Sequence, residues 1–241
     1  MKELSKWKSR LKLRRRSTIV IIVTAFVSVS VVLLTIYGAN VGNFVITVEE
    51  NFQLSLALSE NNDFTDPKTM LSAPGIRKLN NSTYEYLPYE IGVLDGGETD
   101  DSTYMAYSFY LKNVNDVTID YNMEISIRNV YKNIDYAMWF MVIKDGERTV
   151  YAKPKTDGFG EVLIGSDGKV SPEDAGGHYK DLTVPFKSQV VIAQEKFTGF
   201  RPYEVSRFTV IMWLEGHDPE CVDEIKGGTM QLDMRFFVVQ G

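Results

Sequence analysis

The 241-residue chain contains a single cysteine, Cys221, and only two histidines, His178 and His217. One cysteine excludes an intramolecular disulfide, so the fold must be held by its core. The sequence also lacks the G-x-S-x-G and H-E-x-x-H motifs and any glycine-rich phosphate loop. Serine hydrolases, zinc peptidases and nucleotide-binding enzymes therefore have no support, and we expect a protein that is not an enzyme.

Basic residues are scarce after the first 16 positions. Residues 1–16 carry eight Lys or Arg and one acid, Glu3, for a net charge of +7, which leaves 18 basic and 31 acidic residues, a net charge of −13, in the rest of the chain. An acidic body without a basic stripe does not neutralise phosphates, which excludes nucleic acid as a partner. The abrupt change of sign is typical of a targeting segment.

Charged residues are absent from residues 19–37, which read IVIIVTAFVSVSVVLLTIY. As a helix, this segment is about 28 Å long, close to the thickness of the hydrocarbon core of a bilayer. Arg14, Arg15 and Arg16 precede it, and the positive-inside rule assigns them to the cytoplasm. The sequence therefore predicts a basic cytoplasmic leader (1–17), a transmembrane helix (18–38) and an extracellular domain (39–241), a single-pass protein of the cell membrane.

A cleaved signal peptide is the alternative to a retained signal anchor. The apolar run is longer than the 7–15 residues usual in signal peptides, and Tyr37 is too large for a small-residue cleavage position. Both observations favour retention. If cleavage does occur, we expect it near Ala39, with secretion of the body.

Apolar and polar residues alternate with period two after the apolar segment. The clearest case is residues 117–127, in which all six odd positions are apolar or aromatic and all five even ones polar, as in a half-buried strand. The same pattern predicts strands over 52–59, 105–111 and 230–238, with shorter ones at 44–48, 184–186 and 189–193. Residues 137–143 and 208–214 are apolar on both faces, which predicts central strands covered by a second layer.

Turn chemistry completes the fold prediction. Asp145-Gly146 between two strand-like runs predicts a hairpin, with a return strand at 149–153. A short helix is expected within 127–136 and a turn at 66–71, while 61–101 is expected to be a long decorated loop. Together these patterns predict a mainly β protein, a jelly-roll-like antiparallel β-sandwich.

Two acidic stretches are candidate metal sites, although no cofactor is required by the sequence. Carboxylates and carbonyls of a loop with Asp95, Glu98, Asp100 and Asp101 suit calcium, and the alternative is a solvated loop. A second cluster comprises Glu215, His217 and Asp218, followed by Cys221. Its spacing matches no zinc signature, and its alternative is an acidic turn in which Cys221 packs as a small apolar group.

Two further features suggest partners. Tyr84, Tyr86 and Tyr89 are clustered beside Pro88, and exposed loop aromatics bind glycans or proteins; the alternative is that they cap the end of the sandwich. The C-terminal strand, 230–239, is suited to pairing with the edge of another subunit, which would allow self-association.

Four segments carry a resemblance to known proteins: Val41-Gly42-Asn43-Phe44, residues 107–113 (YSFYLKN), 145–153 (DGERTVYAK) and 210–221 (VIMWLEGHDPEC). They resemble exported proteins of Gram-positive, Clostridia-type bacteria, and the resemblance implies fold and location. The layout is distantly similar to camelysin and TasA-type surface proteins, in which an apolar N-terminal segment precedes a jelly roll. Camelysin's peptidase activity is not implied, because no matching ligand set occurs here.

These observations favour a membrane-anchored or exported cell-surface protein with a structural or interaction role. The alternative is an extracellular binding module for glycan, peptide or calcium, and a hydrolase is the least supported of the three classes.

Overall fold

The computed structural model describes residues 21–30, 44–73, 79–92, 97–100, 103–154 and 183–239. The chain divides into two units, Met1–Val41 and Gly42–Gly241. In the first unit, residues 21–30 are helical with exposed apolar side chains. Ser30 Oγ donates a hydrogen bond to the Phe26 carbonyl at 2.9 Å, so its hydroxyl is satisfied within the helix. No helix in the described ranges is both long and apolar enough to span a membrane. The rest of the predicted transmembrane helix, 18–20 and 31–38, lies outside those ranges.

The second unit is built from strands and a few 3-10 turns. The strands within the described ranges are β1 (Phe44–Val48), β2 (Leu56–Ser59), β3 (Met70–Ala73), β4 (Asn81–Ser82), β5 (Gly97–Asp100), β6 (Tyr104–Asn113), β7 (Ile119–Tyr131), β8 (Met138–Lys144), β9 (Glu147–Ala152), β10 (Thr183–Pro185), β11 (Val191–Phe200), β12 (Val205–Glu215) and β13 (Thr229–Val238).

These strands form two mixed sheets. The smaller has the order β11-β7-β13-β1-β3, and the larger β10-β9-β8-β12-β6-β2, with β4 added to the end of β12 and β5 to β6. The prediction of purely antiparallel sheets is wrong at three pairings, because β1–β13, β10–β9 and β12–β4 are parallel. No tight hairpin joins the strands of these pairs, so chain connectivity does not force them to run in opposite directions.

The two sheets pack face to face around a buried aromatic cluster. Phe109 of β6 and Phe208 of β12 stack at 5.5 Å between ring centroids, and Phe236 of β13 meets them from the opposite sheet at 6.0 and 5.2 Å. All three rings are fully buried. Burying one such side chain contributes about 1.5–3 kcal/mol, so truncating any of the three would open a cavity in the main core.

The outer faces of the two sheets differ in chemistry. Cross-strand ion pairs cover the smaller sheet, where Arg128 meets Asp233 and Arg235 meets Glu124. The larger sheet is apolar outside as well as inside: Trp139 and Trp213 are fully buried there, and Ile91 packs over them. The prediction that 137–143 and 208–214 are central strands buried on both faces is therefore confirmed.

The predicted hairpin is confirmed by the backbone. Asp145 and Gly146 both have positive φ, 50° and 96°, and Lys144 pairs with Glu147 across the two-residue turn. Positive φ at both central positions is the geometry of a type I′ turn, whose twist matches that of the flanking strands.

Three local predictions are confirmed only in part. Residues 127–131 continue β7 along β13, so the short helix expected within 127–136 is limited to one 3-10 turn, Ile134–Tyr136. Alternation at 52–55 does not make a strand, because Glu50–Phe52 is a 3-10 turn that leaves the Leu54 side chain 89% exposed. The predicted turn at 66–71 ends earlier, since Met70 already begins β3.

Candidate functional site

The acidic turn after β12 is organised around one buried carboxylate. Glu215, the last residue of β12, is completely buried. Its Oε2 accepts hydrogen bonds from the Tyr84 backbone N–H and the Trp213 indole N–H, and its Oε1 accepts one from the His217 backbone N–H, all at 3.0 Å. Three N–H donors compensate for the loss of hydration, so Glu215 ties the 84–86 turn to the end of the central strand.

Asp218, within the same turn, carries a second buried carboxyl group. Its Oδ2 accepts a hydrogen bond from Trp139 Nε1 at 2.9 Å, and its Oδ1 accepts one from the Glu220 backbone N–H at 3.0 Å. Burial is the main cause that raises the pKa of Asp218 to about 8, since the charged form loses water. The two N–H donors act in the opposite direction and do not overcome this effect.

The remaining members of the cluster are not arranged for nucleophilic chemistry. Cys221 is half-buried and packs against the main core. Burial raises the pKa of its thiol, and the charges of Asp218 and Glu215 add to that rise. A reactive cysteine needs the opposite, a lowered thiol pKa. The His217 Nδ1 lies 3.9 Å from Glu215 Oε1, beyond hydrogen-bond distance.

The structure brings the predicted ligands Glu215, His217 and Asp218 into one turn, but with their carboxylate oxygens already engaged. Within the described ranges, no group of three His, Cys, Asp or Glu residues is arranged to hold a metal ion. Cys221 packs against the main core, as the acidic-turn interpretation expects, and metal binding at this turn stays a prediction.

The calcium candidates fall largely outside the described residues. Asp95 and Asp101 lie outside the described residues. Glu98 and Asp100 belong to β5, and the backbone register sets them opposite Tyr107 and Met105 of β6. A calcium site at this loop stays a prediction.

An open depression adjoins the acidic turn, with a volume of about 520 Å³. Among the described residues, its lining comprises Asn81, Ser82, Thr83, Tyr86, Thr103 and His217, with Gly216 completing it. Gly216 allows β4 to approach, because a Cβ there would lie 3.3 Å from the Ser82 carbonyl oxygen and 3.4 Å from Asn81 Nδ2. The sequence indicates the tyrosines and the acidic turn as two separate candidate sites. Nothing in it indicated that they meet, or that Asn81, Ser82, Thr83 and Thr103 join them.

A buried ion pair elsewhere in the body was also missed. Lys153 Nζ donates to Asp135 Oδ2, with only 6% and 3% of the two side chains exposed, and the ammonium lies 4.3 Å from the centroid of the Tyr136 ring. Asp135 Oδ1 is buried and has no hydrogen-bond partner among the residues that the structure describes. No motif marks this pair, because its members come from a 3-10 turn and the end of a strand.

Comparisons with known proteins do not identify a family. No family model matches the chain, and no curated protein matches it significantly. Among solved structures, a crystal structure of β-glucosidase from Kluyveromyces marxianus in complex with glucose gives a TM-score of 0.26 at 8% identity, covering 77% of this chain. The selenomethionine-labelled form of that enzyme gives 0.25 at 10% identity, covering 74%. The chain spans only 16% of either enzyme chain, and likenesses this low carry no argument.

Proposed function

We propose that this chain is a membrane-anchored cell-surface protein whose β-body has a structural or interaction role. The observation that carries the proposal is the reversal of charge, from +7 to −13, across an uncharged segment of nineteen residues. Such a pattern directs the leader to the cytoplasm and the body to the exterior.

The geometry of the acidic turn supports a role without catalysis. Its two buried carboxylates are engaged by backbone and indole N–H groups, and its thiol is shifted away from reactivity. Each carboxylate oxygen accepts at least one N–H hydrogen bond, so both side chains are held in place as parts of the turn. We therefore propose interaction, and not turnover, as the task of the body.

The jelly-roll-like description and the suggested relatives belong to the same proposal. From β7 onwards the chain passes repeatedly between the sheets, with β7, β11 and β13 in the smaller and β8–β10 and β12 in the larger. Such crossing is typical of jelly rolls and Greek keys. The resemblance to exported proteins of Clostridia-type bacteria and to TasA-type surface proteins supports the location.

The sidedness of the full chain tests the proposal. Epitope tags at the N- and C-termini, expressed in a Gram-positive host, are exposed to external protease on intact cells and after lysis. We expect loss of the C-terminal tag on intact cells and loss of the N-terminal tag only after lysis. Protection of both tags on intact cells would refute a surface location. N-terminal sequencing distinguishes a retained anchor from cleavage near Ala39.

The interaction role needs a separate measurement. Cross-linking on intact cells, followed by size-exclusion chromatography of the purified full chain over a range of concentrations, reports self-association and surface partners. A strict monomer that cross-links to nothing on the cell would contradict the interaction role while leaving the location intact.

A further inference from the structure

Three connecting loops meet at one end of the β-body, and together they are called the tip: 49–55, 114–118 and 201–204. Buried Asn113 donates hydrogen bonds from Nδ2 to the carbonyls of Val117 and Arg201 at 2.9 and 3.0 Å, which joins the second loop to the third. The Val114 N–H donates to the Ser55 carbonyl at 3.0 Å, which joins the first loop to the second. The exposed side chains of the tip are therefore presented from a fixed support.

Each loop of the tip exposes an apolar side chain to solvent. The exposed fraction is 89% for Leu54, 56% for Val117 and 61% for Tyr203, and Val114, which adjoins the first loop, is exposed as well. Single exposed apolar residues are normal on a protein surface. Four of them on loops that are bonded to one another expose apolar area at one place, which is typical of an interaction site.

The backbone of Tyr203 is in a conformation that a tyrosine rarely adopts. The Glu204 N–H donates to the Arg201 carbonyl at 3.1 Å and closes a turn with Pro202 and Tyr203 at its centre. Proline followed by a residue of positive φ is typical of a type II turn, whose second central position is normally glycine or asparagine. Tyr203 has φ 59° there, which strains the backbone of a bulky residue. Because its ring points largely into solvent, burial does not offset the strain, and a contact outside the chain would explain why tyrosine occupies this position.

The charges of the tip are unbalanced. Glu49 and Glu50 of the first loop and Asp116 of the second are exposed, and none of them forms an ion pair in the described part of the chain. The charges of the third loop neutralise each other, since Arg201 Nε lies 3.1 Å from Glu204 Oε2. Three carboxylates thus flank the apolar side chains. An anionic surface, or a second copy with the same carboxylates, would be repelled, and a cationic partner would be attracted.

We propose that the tip binds a cationic segment of a partner protein, whose apolar side chains cover the exposed ones of the tip and whose lysine or arginine groups pair with its three carboxylates. Contact between apolar side chains supplies most of the affinity in such a complex, and charge complementarity selects and orients the partner. The inference rests on the proposed interaction role and specifies the chemistry of the partner.

Ligand-observed NMR on the full chain, purified in a deuterated zwitterionic detergent, tests the proposal with short peptides. The probe is a capped pentapeptide that alternates lysine and leucine. One comparator alternates glutamate and leucine, and the other alternates lysine and serine; empty micelles are the blank. We expect saturation transfer to the probe with a Kd on the order of 1 mM, and binding of both comparators weaker by about tenfold or more. Absence of binding, or equal binding of either comparator, would overturn the proposal.

Four variants locate the binding of the probe. Tyr203→Gly should weaken it about tenfold and keep Tm at or above the wild-type value, because glycine adopts positive φ freely. Glu50→Gln should weaken it and reduce its dependence on salt. The matched controls Tyr131→Ala and Glu224→Gln, at exposed positions outside the tip, should leave the Kd unchanged. Equal binding by wild type and Tyr203→Gly, or a lower Tm of Tyr203→Gly, would refute the role given to Tyr203.

Two other occupants of the tip give distinct results. A dimer of the wild type in size-exclusion chromatography that Tyr203→Gly abolishes would assign the tip to a second copy of the chain. Flotation of the chain, held in nanodiscs, with phosphatidylcholine vesicles that is lost in Tyr203→Gly would assign the tip to a lipid surface. Either result would overturn the proposal.

Cross-linking on intact cells separates failure of this inference from failure of the interaction role. We expect Tyr203→Gly to lose a cross-linked partner that Tyr131→Ala retains. If wild type and Tyr203→Gly cross-link to the same partners, the interaction role stands and the assignment to the tip is wrong. If the wild type cross-links to nothing, the interaction role itself fails.

Discussion

Trp139 and Asp218 are joined by a buried hydrogen bond, from the indole N–H to carboxylate Oδ2 at 2.9 Å, across 79 residues of sequence. The bond holds the turn after β12 against the outer face of β8. It also sets the Asp218 carboxyl beside the ring of Trp139, which lies 6.2 Å from that of Trp213. Burial in these surroundings disfavours the charged form and raises the pKa of the Asp218 carboxyl.

Asp218 should make the protein less stable as pH rises. The pKa of its carboxyl is about 8 in the folded state and 3.8 ordinarily, so between pH 4 and 8 the folded state binds more protons than the unfolded state. The free energy of unfolding should therefore fall across this window, by at most about 1.4 kcal/mol per pH unit. In Asp218→Asn this part of the slope should disappear, as measured by urea unfolding followed by tryptophan fluorescence.

Asp223→Asn is the matched control for this pH dependence. Asp223 is exposed, and its hydrogen bond with Lys226 lowers the pKa of its carboxyl, so it titrates below the window. Its stability profile between pH 4 and 8 should run parallel to that of the wild type. A parallel profile for Asp218→Asn as well would show that Asp218 does not titrate as described.

Glu215→Gln should destabilise the fold although it removes a buried charge. Both oxygens of Glu215 accept N–H donors, so a glutamine NH₂ must face a donor in either orientation. We expect a loss of about 1.5–3 kcal/mol in the free energy of unfolding. The exposed Glu50→Gln should change it by less than about 0.5 kcal/mol. Equal stability of the two variants would contradict the role given to Glu215.

The sequence was a reliable guide wherever a pattern is local. Strict alternation located β7 and β13, and the Asp145-Gly146 pair located the hairpin, because each depends only on neighbouring residues. The helix expected within 127–136 is limited to Ile134–Tyr136, because pairing of Tyr131 with Thr229, 98 positions away, extends β7. Propensity over a few residues cannot report such a partner.

The candidate site also depends on contacts between residues that are far apart in the sequence. The acidic residues after β12 were recognised as a cluster, but their partners were not, because Tyr84 lies 131 residues from Glu215. The residue types of Glu215, His217 and Asp218 allow metal binding, but the sequence does not show the N–H groups that donate to the two carboxylates. Residue types show what a group is able to bind, and only the fold shows which lone pairs are left.

Replacing one partner of the buried Lys153–Asp135 pair should lower the free energy of unfolding more than replacing both. Lys153→Met leaves the Asp135 carboxylate buried without its cation, and Asp135→Leu leaves the ammonium without its anion. Each is expected to cost about 3–5 kcal/mol in urea unfolding, and the double variant less than either one. Lys68→Met, which breaks the exposed pair with Asp66, should change stability by less than about 0.5 kcal/mol. Additive losses in the double variant would contradict coupling of the pair.

Replacing Asn113, at the far end of β6, should strongly lower the free energy of unfolding. It is completely buried, and its Nδ2 donates to the carbonyls of Val117, Phe200 and Arg201 at 2.9–3.0 Å, which fastens the β6–β7 connection to the end of β11. In Asn113→Asp an oxygen replaces this donor and faces three carbonyl oxygens. We expect a loss of at least about 3 kcal/mol in the free energy of unfolding at pH 7.

The pH dependence of Asn113→Asp distinguishes a lost donor from a general disturbance of packing. Below the pKa of the new carboxyl, its O–H is again able to donate to one of the three carbonyls, so the stability difference from wild type should shrink as pH falls. Asn129→Asp, a change of the same kind at an exposed position of β7, should show a small difference at every pH. A deficit of Asn113→Asp that does not vary with pH would indicate that its amide is not needed as a donor.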